Sequence, residues 1–234
     1  MLNLLNTMKK GLIVTIALLF GILLQVQTTH AQELKNPNNS IELGVGFSSN
    51  AFIGGVGYFQ DWGVGKKKAF RLGYGLRFSA YSGSDVTHIS APPEFYTDEA
   101  MQDSIFVSNP QMNNIAVYIG ASYLIRDRIE LGFNIDAVGY TFGGDKDATF
   151  TSNGVETATT VNPNSITALL IGPRDIGMLR SDFFVGYRFN DNWGARLGYG
   201  LLFTEYRTET ELQEGNTRYR GNPGTITLGV VYSL

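Results

Sequence analysis

A histidine and a serine are the first candidates for chemistry in this chain. His88 and Ser90 stand two residues apart, and a histidine that activates a serine hydroxyl is a common arrangement for nucleophilic catalysis. The chain has no cysteine, which excludes disulfides and thiolate metal sites. The pair lies just before Ala91-Pro92-Pro93 and not on a regular strand. We therefore predict no enzymatic activity, and a lipid-modifying enzyme that uses His88 remains the alternative.

Charged residues recur inside otherwise apolar segments, always at alternate positions. Alternate residues of a strand point to one face, so these charges predict a shared polar face with four carboxylates and four arginines. Charges away from water must pair, and we expect a salt-bridged network, with a solute or proton path as the alternative. The predicted groups are Glu42 and Glu130 with Arg71, Arg188 and Arg196, and Asp136 and Asp182 with Arg77.

Strict alternation of apolar and polar residues predicts the strands that position these charges. Seven segments alternate cleanly, and an eighth, 51–62, is a strand whose facing is left undecided by its glycines. None of the seven prolines falls inside a segment, as expected where every N–H must join a ladder. The seven segments are 41–48, 69–81, 114–125, 129–142, 179–189, 193–206 and 225–234.

The connections between these strands alternate in length. The second, fourth and sixth are short (63–68, 126–128 and 190–192), and the third, fifth and seventh are long (82–113, 143–177 and 207–224). The first, around Ser49-Asn50, is a short connection on the side of the long ones. Short turns at one end and long loops at the other are typical of an up-and-down membrane barrel.

The two faces of the predicted strands favour a membrane barrel over a soluble one. The apolar face is large and nearly uncharged, whereas the polar face is rich in glycine, which suits a narrow eight-stranded lumen. Because hydrocarbon tolerates no open sheet edge, segment 41–48 should pair with 225–234. Aromatic residues gather near the strand ends, as at lipid interfaces. They are Trp62, Phe70, Phe189, Trp193 and Tyr232 toward the short turns, and Phe47, Phe78, Tyr140, Phe183 and Phe203 toward the long loops.

The N-terminal residues predict a secretory signal peptide over 1–31. Lys9 and Lys10 precede the apolar run Gly11–Leu24, and Thr29-His30-Ala31 offers small residues for cleavage. We expect a short segment over 32–40 and the barrel over 41–234. An uncleaved N-terminal anchor is the alternative.

With its alternating strands and terse turns, segment 41–234 resembles the small outer-membrane β-barrel superfamily, which includes OmpX-like and OmpA-transmembrane-like proteins and barrel domains common in Bacteroidota. The resemblance implies an all-β, eight-stranded antiparallel transmembrane barrel with extracellular loops, periplasmic termini and no cofactor or metal. The expected function is non-enzymatic: surface binding, envelope integrity or a subunit of an envelope complex, with a narrow solute transporter as a further alternative. Expected partners are lipopolysaccharide and phospholipid, the barrel-assembly machinery and an unidentified protein at the loops. The formal net charge of −3 gives no reason to expect nucleic acid.

Overall fold

The computed structural model describes residues 35–91, 102–170, 172, 174–209, 211–212 and 215–234. The predicted signal peptide and residues 32–34 lie outside this part of the chain. Among the described residues, no helix is long and apolar enough to span a bilayer. The strands of this part are β1 (Asn38–Phe47), β2 (Ala51–Val64), β3 (Phe70–Gly83), β4 (Val86–Ser90), β5 (Ser104–Val107), β6 (Gln111–Ile125), β7 (Ile129–Phe142), β8 (Lys146–Ser152), β9 (Val155–Pro163), β10 (Ile166–Ala168), β11 (Leu179–Arg188), β12 (Trp193–Thr208), β13 (Arg218–Gly221) and β14 (Gly224–Ser233).

Eight of the described strands close into one antiparallel ring, which we call the main barrel. Its order is β1, β2, β3, β6, β7, β11, β12 and β14, and β14 pairs back onto β1 from Ser40–Ser233 to Phe47–Ile226. This pairing confirms the predicted closure and the predicted eight-stranded fold. The short turns and longer connections place consecutive strands side by side, whereas the β1–β14 pairing joins the two ends of the chain and leaves the ring without an open edge.

The strands of the main barrel are staggered as they close. From Leu43 on β1, the residues paired in register across β2 and β3 lead to Ile115 on β6. In the opposite direction around the ring, the residues paired across β14, β12, β11 and β7 lead to Ile125 on the same strand. The two end points lie ten residues apart on one strand, which is the shear of the barrel. Eight strands leave an interior just wide enough for side chains.

Side-chain direction follows the predicted alternation. Leu72, Leu131 and Leu197 are exposed on the outer wall at 45%, 44% and 57% of their surface. The undecided strand, β2, turns its odd positions inward, with Phe59 buried and Tyr58 exposed. Between β6 and β7 the register shifts by one residue, and this bulge lets even-numbered residues of β7 face inward on one side of it and outward on the other.

The three long connections form a second closed ring, which we call the cap barrel. It consists of β4, β5, β8, β9, β13 and residues 204–208 of β12, with β12 paired to both β13 and β9. The alternation pattern predicts only long loops in these connections, whereas much of their described length forms strands. The strands there are only four to nine residues long, too short for periodicity to identify, and their partners are distant in the chain.

The cap barrel packs on the lumen of the main barrel through one continuous apolar core. This core joins inward residues at the end of the main barrel to inward residues of the cap, and both groups are almost fully buried. From the main barrel come Ala51, Ile53, Tyr81, Met112, Met178 and Leu202, and from the cap come Ile105, Val107, Ala148, Phe150, Val161, Tyr206 and Tyr219. We call this the capped end and the opposite one the short-turn end.

Candidate functional site

Inward positions of the main-barrel strands bring the predicted charges into one lumen. Among the described residues, the lumen holds five arginines and five carboxylates. Two of these, Asp61 and Arg180, were not in the predicted set. The ten are Glu42, Asp61, Arg71, Arg77, Glu130, Asp136, Arg180, Asp182, Arg188 and Arg196.

Arg77 is the centre of the group nearest the capped end. It donates from Nε and Nη2 to Oδ1 of Asp136 at 3.1 and 2.6 Å, and from Nη1 to Oδ1 of Asn134 at 2.8 Å. Its Nη1 also lies 3.4 Å from Oδ2 of Asp182, which Arg180 Nε approaches to 2.9 Å. These charged side chains are at most 7% exposed. Two arginines and two carboxylates therefore neutralise one another, which offsets the desolvation of each.

Arg196 organises a second group in the middle of the lumen. Its Nη1 donates to Oε1 of Glu42 at 2.5 Å, and its Nη2 donates to Oε2 of Glu130 at 3.1 Å. The Tyr118 hydroxyl donates to the other oxygen of Glu42 at 3.1 Å. The guanidinium lies 4.1 Å above the centre of the Phe184 ring, a favourable cation–π contact. One arginine thus links β1, β7 and β12.

At the short-turn end, the pairing differs from the predicted grouping. Arg71 does not join Glu42 and Glu130 but bonds through Nε to Asp61, whose other oxygen accepts from Asn38 Nδ2 at 3.0 Å. Arg188 donates to the backbone oxygen of Asp191 in the adjacent turn, at 3.0 Å. Arg71 also donates to the Lys35 carbonyl at 3.2 Å, so the segment before β1 crosses this end of the lumen.

Space inside the lumen is small. The described residues enclose cavities of about 50, 40 and 10 Å³, and the first is lined by groups that include Arg77, Arg180 and Arg196. A cavity needs about 10–15 Å³ to hold one water molecule. Each of the two larger cavities therefore has room for a few water molecules.

The outer wall of the main barrel is apolar from the short turns upward. In the eight described strands, outward positions carry no charged side chain before Glu205 on β12. Soluble proteins rarely expose a contiguous apolar surface of more than a few hundred Å². A wall that is apolar all round therefore requires an apolar solvent.

The predicted interface aromatics lie on this outer wall or at its edges. Exposed ones are Trp62, Phe70 and Trp193 near the short turns, and Phe47, Phe78, Tyr140 and Phe183 farther up. Trp193 packs on Tyr232 with ring centres 4.8 Å apart, and Phe189 packs on Tyr187 at 5.7 Å. Phe203 is half-buried because the guanidinium of Arg220 covers its ring at 4.1 Å.

His88 lies inside the cap barrel and is fully buried. Its Nε2 is 3.4 Å from the Thr204 hydroxyl, and its ring meets Tyr206 edge-on at 5.1 Å. Burial lowers its pKa to about 4, so the ring is neutral at pH 7. Ser90 instead bonds to the backbone of Asp103. This arrangement does not favour a catalytic pair, because neither side chain reaches the lipid-facing wall.

Three buried charged residues, Asp61, Arg180 and Glu205, were not among the residues predicted from sequence. Asp61 lies on β2, whose facing was undecided. Arg180 lies two residues before Asp182 and therefore on the same inward face, so the alternation pattern alone could have identified it. Glu205 has outward parity but is fully buried, because residues of the cap cover it. Within the described chain, no cluster of three or more His, Asp or Glu residues is placed to hold a metal ion.

No protein-family model matches the sequence, and no curated protein matches it. Among solved structures, a major outer membrane protein from Thermus thermophilus matches at 12% identity and a TM-score of 0.42, over 86% of this chain and 100% of that one. The Yersinia pestis outer membrane protein Ail matches at 11% and 0.39, over 85% and 100%. The N-terminal β-barrel domain of Pseudomonas aeruginosa OprF matches at 10% and 0.38, over 85% and 98%. Each TM-score is below 0.5, so the architecture is established by the strand pairing of the chain itself.

Proposed function

We propose that this protein is a closed, non-enzymatic outer-membrane barrel of the OmpX-like and OmpA-like superfamily. The observation that carries the proposal is the uncharged apolar wall around a ring with no open edge, since only such a ring satisfies its backbone in hydrocarbon. The cap barrel lies outside the cell, and both termini lie in the periplasm. The protein reaches the membrane through its signal peptide and the barrel-assembly machinery.

The role that suits this geometry is presentation of a rigid surface, not transport. Ion pairs fill the lumen, the apolar core closes the capped end, and Arg71 with the N-terminal segment crosses the other end. The cap barrel is held by its own closed ladder of hydrogen bonds, so its outer surface has a fixed shape suited to a protein partner or to envelope integrity.

The location is tested by labelling single cysteines in intact cells, which is clean because the chain has none. Val155→Cys places a thiol on an exposed residue of the cap, and Lys67→Cys places one on an exposed short turn. A membrane-impermeant maleimide should label Val155→Cys in intact cells and Lys67→Cys only after the outer membrane is permeabilised. Labelling of both, or of neither, before permeabilisation contradicts the proposed location.

A further inference from the structure

The outward face of β12 changes from apolar to charged after Phe203. Tyr199 and Leu201 are exposed and apolar, whereas Glu205 and Arg207 follow two and four residues after Phe203 on the same face. Strand register places Arg220 opposite Glu205 and Arg218 opposite Arg207, so β13 adds two more arginines to this face. The boundary between the apolar wall and the charged cap is therefore marked here by guanidinium groups.

The guanidinium groups of Arg218 and Arg220 are held in position by hydrogen bonds and ion pairs. Glu205 is fully buried and accepts from Arg218 Nη2 at 2.8 Å, while Arg220 Nη2 lies 3.7 Å from the same oxygen. The backbone oxygen of Asp175 accepts from both arginines, at 3.3 and 2.8 Å. The Asn164 amide also bonds to Glu205. One carboxylate thus holds two arginines in place and leaves a net positive charge.

The positive charge is concentrated on this one sector. Among the described residues of the capped end there are five cations, and four of them are Arg174, Arg207, Arg218 and Arg220, which we call the arginine patch. Arg174 and Arg207 are exposed, and Arg218 keeps 25% of its side chain exposed. Asp175 and Glu205 are the described carboxylates among these arginines, so the patch keeps a net charge of about +2. Elsewhere the described capped end carries Lys146 and seven acids, Asp85, Asp103, Asp145, Asp147, Glu156, Glu209 and Glu211. An anion approaching this end is therefore attracted to the patch more than to the rest of the cap.

Exposed apolar side chains continue directly below the patch. Leu170 donates its backbone N–H to the Asp175 carboxylate at 2.7 Å, and its side chain is 52% exposed. Ile166, two residues after Asn164, is 62% exposed and pairs in register with Tyr140 on the wall. A ligand that fits has anionic groups at the level of the patch and acyl chains at the level of Leu170, Ile166 and Leu201.

We infer that the arginine patch binds the phosphate groups of a phosphorylated glycolipid in the outer leaflet. Guanidinium groups bind phosphate through paired, charge-assisted hydrogen bonds. Arg218 makes its described side-chain bonds through Nε and Nη2. Arg207, its partner in register, and Arg174, which precedes Asp175, are exposed. The inference rests on the proposed outer-membrane location, because it needs lipid to reach the wall below the cap.

The test compares lipid A carrying both phosphates with the same lipid after enzymatic dephosphorylation. Folded full-length protein is equilibrated with an equal mixture in detergent micelles, and bound lipid is counted by native mass spectrometry. We expect the wild type to retain the phosphorylated form at least roughly tenfold better, since each surface arginine contributes about 1 kcal/mol toward anionic lipid. The double variant Arg174→Gln/Arg207→Gln should lose most of this preference, because it removes charge without touching Glu205 or its partners.

The matched control is Lys66→Gln/Lys67→Gln, which removes two exposed cations at the opposite end and should leave the preference unchanged. Equal retention of both lipids by the wild type overturns the inference even if a variant misfolds, and so does an equal loss in the control. Insertion into phosphatidylcholine vesicles, detected by the heat-dependent gel shift of folded barrels, distinguishes a failure of the glycolipid site from a failure of the proposed function. A protein that inserts without phosphate preference refutes only the glycolipid site, whereas one that never inserts refutes the proposed function.

Discussion

Arg77 on β3 and Asp136 on β7 are joined across the lumen by two hydrogen bonds to one carboxylate oxygen, at 3.1 and 2.6 Å. The other oxygen of Asp136 accepts the backbone N–H of Arg180 at 2.9 Å. This pair therefore links three strands of the ring, β3, β7 and β11. Both side chains are almost fully enclosed, so neither has water as a substitute partner.

Replacing Arg77 with Met should destabilise the barrel by about 3–5 kcal/mol, the usual cost of leaving a buried carboxylate without its partner. Asp136 and Asp182 would both lose a cation. The free energy of unfolding in urea, measured in detergent micelles, checks this value. The control is Arg188→Met, whose described bond is to a turn carbonyl, and which should cost less than about 1 kcal/mol. Similar losses in the two variants would contradict a special role for Arg77.

Removing Arg77 should not open the barrel to ions. The apolar core around Ile53, Tyr81 and Met112 closes the capped end independently of the salt bridges, so the wild type and Arg77→Ala should both be silent in planar bilayers. Single-channel recording at both polarities is the measurement. Steady conductance by the wild type would instead support the narrow transporter.

The strands and their facing followed from sequence because alternation is a local signal. Alternation placed Leu72, Leu131 and Leu197 on one face, and the bulk and lack of charge of that face placed it on the outside. Arg77 was grouped with Asp136 and Asp182 from the shared polar face and their order along the strands. Arg71 was assigned to the wrong carboxylates because its partner, Asp61, lies on the strand with undecided facing.

The cap barrel was not predictable from the same signal. Its ring joins segments as distant as His88 and Tyr219, and its short strands look like loop sequence when read alone. Glu205 illustrates the limit, since its parity places it on the outer face but tertiary contacts from Asn164, Arg218 and Arg220 bury it. Long-range pairing, not local propensity, decides such positions.

His88 should make the cap less stable in mild acid. Its pKa is lowered from 6.5 to about 4 by burial, so the unfolded cap binds a proton that the folded cap does not. Its contribution is fully present above pH 6.5, is lost as the pH falls from 6.5 to about 4, and reaches about 3 kcal/mol in total. Proteolysis of the cap as a function of pH measures this, and His88→Gln should have a shallower pH dependence over that range. Identical slopes for the two proteins would show that His88 is not the titrating group.

The glycines of the lumen should be required for space. A Cβ added at Gly75 would collide with the backbone oxygen of Tyr58 and lie 2.7 Å from the Tyr118 ring, whereas one at Gly144 would meet nothing within 4 Å. Gly75→Ala should therefore cost about 1–3 kcal/mol through overpacking, and Gly144→Ala should be nearly neutral. Thermal unfolding of the two variants side by side gives the comparison. A neutral Gly75→Ala would mean that the lumen is looser than described.

Nitroxide labels on single cysteines at Leu72, Leu131 and Leu197 test most directly which side of the barrel meets lipid. In protein reconstituted into vesicles, these labels should relax strongly with oxygen, which concentrates in hydrocarbon, and weakly with a water-soluble nickel complex. A label at Val155 on the cap should show the opposite pattern. Labels at the three leucines that are shielded from oxygen, or that are reached by nickel as readily as Val155, would contradict the membrane barrel.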